Sequence, residues 1–292
     1  MKTDRLHARN LTLRYEERII SRDLSVTIPD GSFTVVVGPN ACGKSTLLRA
    51  LSRLLAPANG SVILDGKPIG ALSSKDVARR LGLLPQSAIA PEGITVADLV
   101  ARGRYPHQSF LRQWSRMDEA AVIAAMEATH VADISGRLVD ELSGGQRQRV
   151  WIAMVLAQET PILLLDEPTT FLDIAHQIEM LDLLSDLNAE GRTVVAVLHD
   201  LNHACRYASH LIAMKDGDVI AQGRTNDIVT ERLVQTVFGL SSIVMDDPVS
   251  GSPMVVAKGR TKRTEKDGAK REEAAAVLTL ETASDGRRFT DV

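Results

Sequence analysis

The chain has 292 residues, 44% hydrophobic and 24% charged, with a formal net charge of −3 and two cysteines. The apolar fraction supports a real core in one large or two modest domains, and 34 basic against 37 acidic residues give no global field for nucleic acid or an acidic membrane. Cys42 and Cys205 are too few and too far apart for a disulfide scaffold or a four-ligand zinc site. The opening MKTDRLHARN lacks the apolar run of a signal peptide, and no apolar stretch approaches the ~18 residues that a membrane helix needs. Integral membrane, secreted disulfide-rich and disordered classes are therefore excluded.

Phe33–Val37, Ile162–Leu165 and Thr193–Leu198 are short, nearly all-apolar runs rich in branched residues. Strands covered on both faces of a parallel sheet read this way. Each is followed by a polar turn and a segment capable of helix, which signals an α/β fold. The first run leads into Gly38-Pro39-Asn40-Ala41-Cys42-Gly43-Lys44-Ser45-Thr46, a G-x-x-x-x-G-K-[ST] sequence. Glycines let the backbone wrap so that successive N–H groups face phosphate oxygens, and the next helix offers its positive N-terminus. Lys44 is expected to reach the β- and γ-phosphates, and the Ser45 hydroxyl to ligate Mg²⁺. Cys42 occupies a variable position of the loop and reads as a small filler rather than a redox group. LLRALSRLL, after the loop, has helical apolar spacing.

Between about Thr95 and Thr129 there is no strand-like run. Val96, Leu99 and Val100, then Val122, Ala125 and Met126, are spaced as on helices, and Thr95 with Asp98 resembles a capping box. A helical insert in an α/β core is expected. Leu142-Ser143-Gly144-Gly145-Gln146 then opens an amphipathic helix, RQRVWIAMVLAQE. A serine hydroxyl and glycine N–H groups at a helix N-terminus form an anion site.

The run Ile162–Leu165 ends in Asp166-Glu167. Two carboxylates closing a buried strand are hard to explain as structure, because unpaired buried charge is costly. Asp166 is expected to hold Mg²⁺ through a coordinated water, and Glu167 to orient or deprotonate the attacking water. His199, ending TVVAVLH, is placed to contact the γ-phosphate. His199 and His203 are four apart, but they belong to a strand end and to the helix beyond it with no third ligand in view, so a metal pair is not expected. From Lys258 to Val292 nine basic and seven acidic residues accompany one aromatic, Phe289. This tract reads as a mostly disordered appendage in which EEAAAVLTLE can form a short helix, with a regulatory or partner-binding tail as the sharper alternative.

With Ser143-Gly144-Gly145-Gln146 beside the two phosphate motifs, residues 1 to about 257 resemble the nucleotide-binding subunit of ATP-binding cassette transporters. The resemblance implies a P-loop NTPase core, a helical subdomain of about residues 87–142 between Gln86 and the signature motif, and a small antiparallel β portion at the N-terminal side. It implies that Tyr15 stacks on adenine and that Gln86 senses Mg²⁺ and water and signals to membrane subunits. By the same resemblance Leu172-Asp173 touches the opposite subunit, and His199 is the switch histidine. Two copies would sandwich two ATP molecules, with Ser143-Gly144-Gly145 of one closing on the γ-phosphate held by the other. Ala41 stands where the family often has glycine, and so is not expected to need a positive φ. Thr170-Phe171 stands where small residues are frequent.

GPNACGKSTLLRAL, Gly103-Arg104-Tyr105-Pro106-His107-Gln108 and DEPTTFLDIAHQIE resemble the importers of ferric siderophores, whose relatives carry haem and cobalamin. The implied partners are a transmembrane permease, docking over Gln86 to about Gln113, a second copy of this chain and, indirectly, an extracytoplasmic binding protein. The implied location is the cytoplasmic face of the inner membrane, peripherally bound. Haem or cobalamin import is the alternative within the class. A non-transport cassette of translation or DNA repair is disfavoured, because there is one cassette and only 128 residues separate Gly38 from Asp166. Intact Glu167 and His199 speak against a module that binds nucleotide without hydrolysis.

Overall fold

A computed structural model of the chain describes residues 5–108 and 114–259. The chain divides into two compact units, Met1–Val256 and Ala257–Val292. In the second only residues 257–259 are described, so the expected appendage lies almost wholly outside the described residues.

In chain order the first unit opens with β1 (Leu6–Tyr15), β2 (Arg18–Ile28), β3 (Phe33–Val37), α1 (Lys44–Leu51), β4 (Asn59–Leu64), β5 (Lys67–Pro68), α2 (Ser74–Ala78) and β6 (Leu81–Leu84). A helical stretch follows, with α3 (Val96–Ala101), a 3₁₀ segment over Arg102–His107, α4 (Arg116–Ala128) and α5 (Gly144–Ala157). Then come β7 (Ile162–Asp166), α6 (Ile174–Ala189), β8 (Thr193–Val197), α7 (Leu201–Tyr207), β9 (His210–Lys215) and β10 (Asp218–Gly223). The last elements are α8 (Thr225–Ile228), α9 (Glu231–Phe238), β11 (Ser242–Asp246) and β12 (Pro253–Ala257).

The central sheet has the order β10-β9-β3-β8-β7-β6. β9, β3, β8, β7 and β6 run parallel, and β10 is added antiparallel at the edge. Every residue of β3, β7 and β8 is buried, as their apolar runs predict. The period of two sorts their side chains between two cores. Val35, Leu163, Leu165, Val194 and Ala196 face a helical layer that includes Val100, Ile152 and Leu184. Val36, Ile162, Leu164, Val195 and Val197 face α1 and the β1–β2 face, against Leu47, Leu51, Leu11 and Val26. The N-terminal antiparallel portion is a separate sheet of order β2-β1-β4-β5.

The helical subdomain lies between β6 and β7 and contains no strand among its described residues, only an isolated bridge between Thr95 and Leu138. Thr95 caps α3, its hydroxyl accepting from the Asp98 N–H at 3.2 Å and donating to the Asp98 carboxylate at 2.7 Å. It caps the helix by a different second bond from the reciprocal backbone one that a capping box makes. Two sequence readings need correction. β8 ends at Val197, so His199 stands two residues beyond the strand rather than closing it. Ala41 has φ 60°, the left-handed conformation it was not expected to need. The loop must turn there whatever residue is present, and an L-residue in that turn costs about 1–2 kcal/mol.

Candidate nucleotide site

β3 is flanked by β8 and β9 at the middle of the sheet, so its C-terminal end opens where crevices form in such sheets. The chain leaves it through Gly38, at φ 153°, where a Cβ would lie 2.2 Å from the Met214 carbonyl oxygen. Only glycine fits between the two backbones. Gly43, at φ 106°, immediately precedes α1 and turns the chain into it. The Lys44 ammonium is nearly buried and donates to the carbonyls of Gly38 and Pro39, both at 2.8 Å. Cys42 is buried in the core under the loop, and burial pushes its thiol up. That environment keeps the thiol protonated and unreactive, so Cys42 serves the loop as packing.

Asp166 ends β7, two strands from β3, and its Oδ1 accepts from the Ser45 hydroxyl at 3.0 Å. Burial pushes its carboxyl up, the Ser45 bond pulls it back, and the neighbouring Glu167 charge adds to the rise. A hydroxyl and a desolvated carboxylate are hard oxygen donors of the type that Mg²⁺ takes. Among the described residues no group of three or more His, Cys, Asp or Glu side chains is placed to hold a metal ion.

Glu167 has φ 57°, and its side chain is only 13% exposed. Its Oε1 accepts from Gln86 Nε2 at 2.8 Å and lies 2.7 Å from His199 Nε2. Its Oε2 accepts from the Thr170 hydroxyl at 3.2 Å. Because a carboxylate only accepts, His199 presents an N–H on Nε2, and the Gln86 amide oxygen points away from this bond. Residues from the loops that follow β6, β7 and β8 thus converge on one carboxylate. Tyr15, at the end of β1, accepts at its hydroxyl from Arg49 of α1 at 3.2 Å. Tyr15, Asn40, Ala41, Gly43, Lys44, Ser45, Thr46, Gln86, Glu167 and His199 line one cavity of about 490 Å³.

Gly38, Pro39, Cys42 and Asp166 do not line that cavity. The other expected residues lie in a second concavity of about 460 Å³, with Ser143, Gly144, Gly145, Gln146, Arg149, Phe171, Leu172, Asp173 and His176 on its wall. Ser143 and Gln146 form a capping box, the Ser143 hydroxyl accepting from the Gln146 N–H at 3.3 Å and the Gln146 amide oxygen accepting from the Ser143 N–H at 3.2 Å. The Gly144 and Gly145 N–H groups fall in the first turn, where a helix offers them no acceptor of its own. This concavity is suited to an anion, yet it stands apart from the Lys44 loop within the chain.

Sequence reasoning missed three supports. Thr170 holds Glu167, and Gln148 of α5 donates to the carbonyls of Glu167 at 3.4 Å and Pro168 at 3.2 Å, tying the signature helix to the carboxylate loop. The third lies in GRYPHQ. Arg104, 5% exposed at its side chain, bonds Asp118 of α4 at 2.9 Å, the Ala157 carbonyl at the end of α5 at 2.7 Å, and Glu159 at 2.7 Å. No spacing rule links these residues, which are 14, 53 and 55 positions apart.

The ABC transporter family profile matches residues 21–170, and the chain belongs to that family. It is 59% identical over 258 residues to the ferric enterobactin transport ATP-binding protein FepC of Escherichia coli K12, covering 88% of this chain and 95% of that one. It is 56% identical over 251 residues to the probable siderophore transport system ATP-binding protein YusV of Bacillus subtilis, covering 86% and 91%. Among solved structures, a metal-chelate type ABC transporter in an inward-facing conformation matches with TM-score 0.74 and 28% identity, over 88% of this chain and 98% of that one. A dimeric ATP-binding cassette in a post-hydrolysis state with ADP and Pi matches with TM-score 0.67 and 27% identity, over 75% and 98%.

Proposed function

We propose that this chain is the ATP-hydrolysing subunit of an importer that couples ATP binding and hydrolysis to uptake of a ferric siderophore through a separate transmembrane permease. The observation that carries the ATP-hydrolysing role is the convergence of Gln86, His199 and Thr170 on Glu167 beside the Lys44 loop, and the similarity to siderophore transport ATP-binding proteins supports the cargo. No helix among the described residues is long and apolar enough to cross a membrane, and the proposed site of action is the cytoplasmic face, peripherally bound to the permease. In this reading residues 1–257 are the cassette, about 87–142 its helical insert, and 258–292 a charged appendage. Gln86 to about Gln113 forms the permease contact, of which residues 109–113 lie outside the described residues.

In this reading each group has a chemical role. Tyr15 stacks on adenine, and the backbone from Gly38 through Thr46 cradles the phosphates. Lys44 exchanges its two carbonyl partners for the β- and γ-phosphates. Ser45, Asp166 and the free amide oxygen of Gln86 would hold Mg²⁺, which when bound neutralises developing charge on the phosphate oxygens. Glu167 orients the attacking water and takes its proton, and His199 and Gln86 hold that carboxylate in place until substrate arrives. The second concavity meets the γ-phosphate of a second copy, with Ser143 and the Gly144 and Gly145 N–H groups as donors and Asp173 at its edge. ATP therefore joins two copies, and hydrolysis removes the bridging charge and shifts the population to the open form.

The test is uptake of labelled ferric siderophore, haem and cobalamin in cells lacking this chain, with identification of the membrane protein that co-purifies with it. Loss of ferric siderophore uptake alone is the expected result. Loss of haem or cobalamin uptake instead would reassign the cargo, and unaltered uptake of all three would overturn the importer reading.

A further inference from the structure

Asp173 caps α6, and its Oδ1 carries two bonds from a single residue. It accepts from the His176 backbone N–H at 3.0 Å and faces the His176 ring Nδ1 at 2.8 Å. Because the carboxylate can only accept, Nδ1 bears the proton in this arrangement. The backbone N–H and the ring of His176 hold the Asp173 carboxyl below its ordinary range, the backbone donor contributing most. The Asp173 and His176 side chains are 68% and 40% exposed. An exposed side-chain pair of this kind adds little to stability, and α6 already has its cap from the backbone bond. The ring bond therefore needs another reason.

Its location supplies one. Both side chains line the concavity that holds Ser143, Gly144 and Gly145. The loop leading to Asp173 passes close to the same turn, with Phe171 at φ 67° and its Cβ and Cγ 3.3 and 3.6 Å from where a Gly144 Cβ would stand. The Phe171 carbonyl similarly lies 3.3 Å from the Cβ position of Gly145. Phe171 is nonetheless 75% exposed, and Ile174, the first residue of α6, is exposed beside it. The loop thus presents apolar surface and an oriented carboxylate together, at the edge of a preformed anion site.

We infer that His176 is a positioning residue, its Nδ1–H holding the Asp173 carboxylate ready for a second copy of this chain to close over the Ser143–Gly145 concavity. The inference rests on the reading above that a second copy's nucleotide docks there. A carboxylate already in its bound rotamer loses less freedom when the two copies meet, and losing that constraint is expected to weaken association by about five- to tenfold.

The experiment uses the full chain in a Glu167→Gln background with MgATP, and sedimentation gives the dimer dissociation constant. His176→Ala is expected to weaken the dimer about five- to tenfold, and to lower kcat by a similar factor when Glu167 is intact. KM for ATP should stay within about twofold, because the Tyr15–His199 cavity is untouched. His176→Asn, whose amide N–H can take the place of Nδ1–H, should restore both quantities. His176→Ala with an unaltered dimer, or His176→Asn failing as badly as alanine, overturns the positioning role. A rise in KM with a falling melting temperature and an unchanged dimer constant would make His176 merely structural, which also overturns it. If the Glu167→Gln parent itself forms no ATP-dependent dimer, the reading beneath the inference fails and takes it down.

Discussion

Glu167 has a left-handed backbone and a nearly buried carboxylate, and it draws donors from the loops after β6 and β8 and from its own loop. These properties are seldom found together outside a functional site. Backbone strain of this kind costs about 1–3 kcal/mol and persists where surrounding structure over-determines it. The amide of glutamine keeps the shape but cannot take a proton. Glu167→Gln is therefore expected to retain ATP binding, trap an ATP-dependent dimer and lower turnover by ~10²–10⁴-fold. Phosphate release and sedimentation measure the two effects, and hydrolysis at the wild-type rate would remove Glu167 from its assigned role. At this scale the sequence was highly informative. Asp166 and Glu167 were legible because two carboxylates at the end of an apolar run have no cheap structural explanation. The Ala41 conformation was not, since identity alone suggested an unstrained turn and the loop path imposed a strained one.

Among the elements, Arg104 shows what a local reading leaves out. In the sequence GRYPHQ counted only toward the family resemblance, and in the fold it lies in a 3₁₀ segment over Arg102–His107 with Pro106 inside it. It also delivers a buried guanidinium that joins α4, the C-terminal end of α5 and Glu159. A cation there also complements the negative end of α5, whose opposite end forms the signature site. Arg104→Ala leaves Asp118 buried beside fewer partners and should cost about 3–5 kcal/mol in urea unfolding. Arg104→Met with Asp118→Leu should recover much of that loss, since apolar replacement of a whole buried pair is often neutral. Equal stability of the single and double variants would contradict this account.

The β11–β12 hairpin is attached by a comparable but more exposed link. Asp247 accepts from Arg206 Nη2 at 2.7 Å and from the Val249 N–H at 2.8 Å, and the Arg206 bond chiefly pulls its carboxyl from 3.8 down to about 2. A depressed carboxyl contributes fully above its unfolded value and loses that contribution as the proton returns. The hairpin should therefore stay anchored above pH 3.8 and loosen as pH falls from there toward about 2. Carboxyl chemical shifts of Asp247 with hydrogen exchange over Ser242–Ala257 measure this, and a midpoint near 3.8 would refute the pairing.

For the whole molecule, the motifs predict a division of labour that removal of Lys258–Val292 can probe. ATPase activity should be largely unchanged without the tract, because every residue assigned to either concavity lies before it. A collapse in turnover or solubility would show that the tract packs on the cassette. The sequence by itself determined the α/β class, the strands β3, β7 and β8, the phosphate loop and the family. Those features are written in contiguous residues, where a period of two, a glycine spacing or a charge at a strand end has few alternative causes. Tertiary structure alone decided that Gln86, Glu167 and His199 meet at one oxygen, and that Ser143 and Asp173 stand apart from them in a second concavity with His176 beside Asp173. It also decided that Arg104 gathers residues up to 55 positions away. These contacts are set by strand order and helix packing, which bring together residues whose separation along the chain carries no period to read.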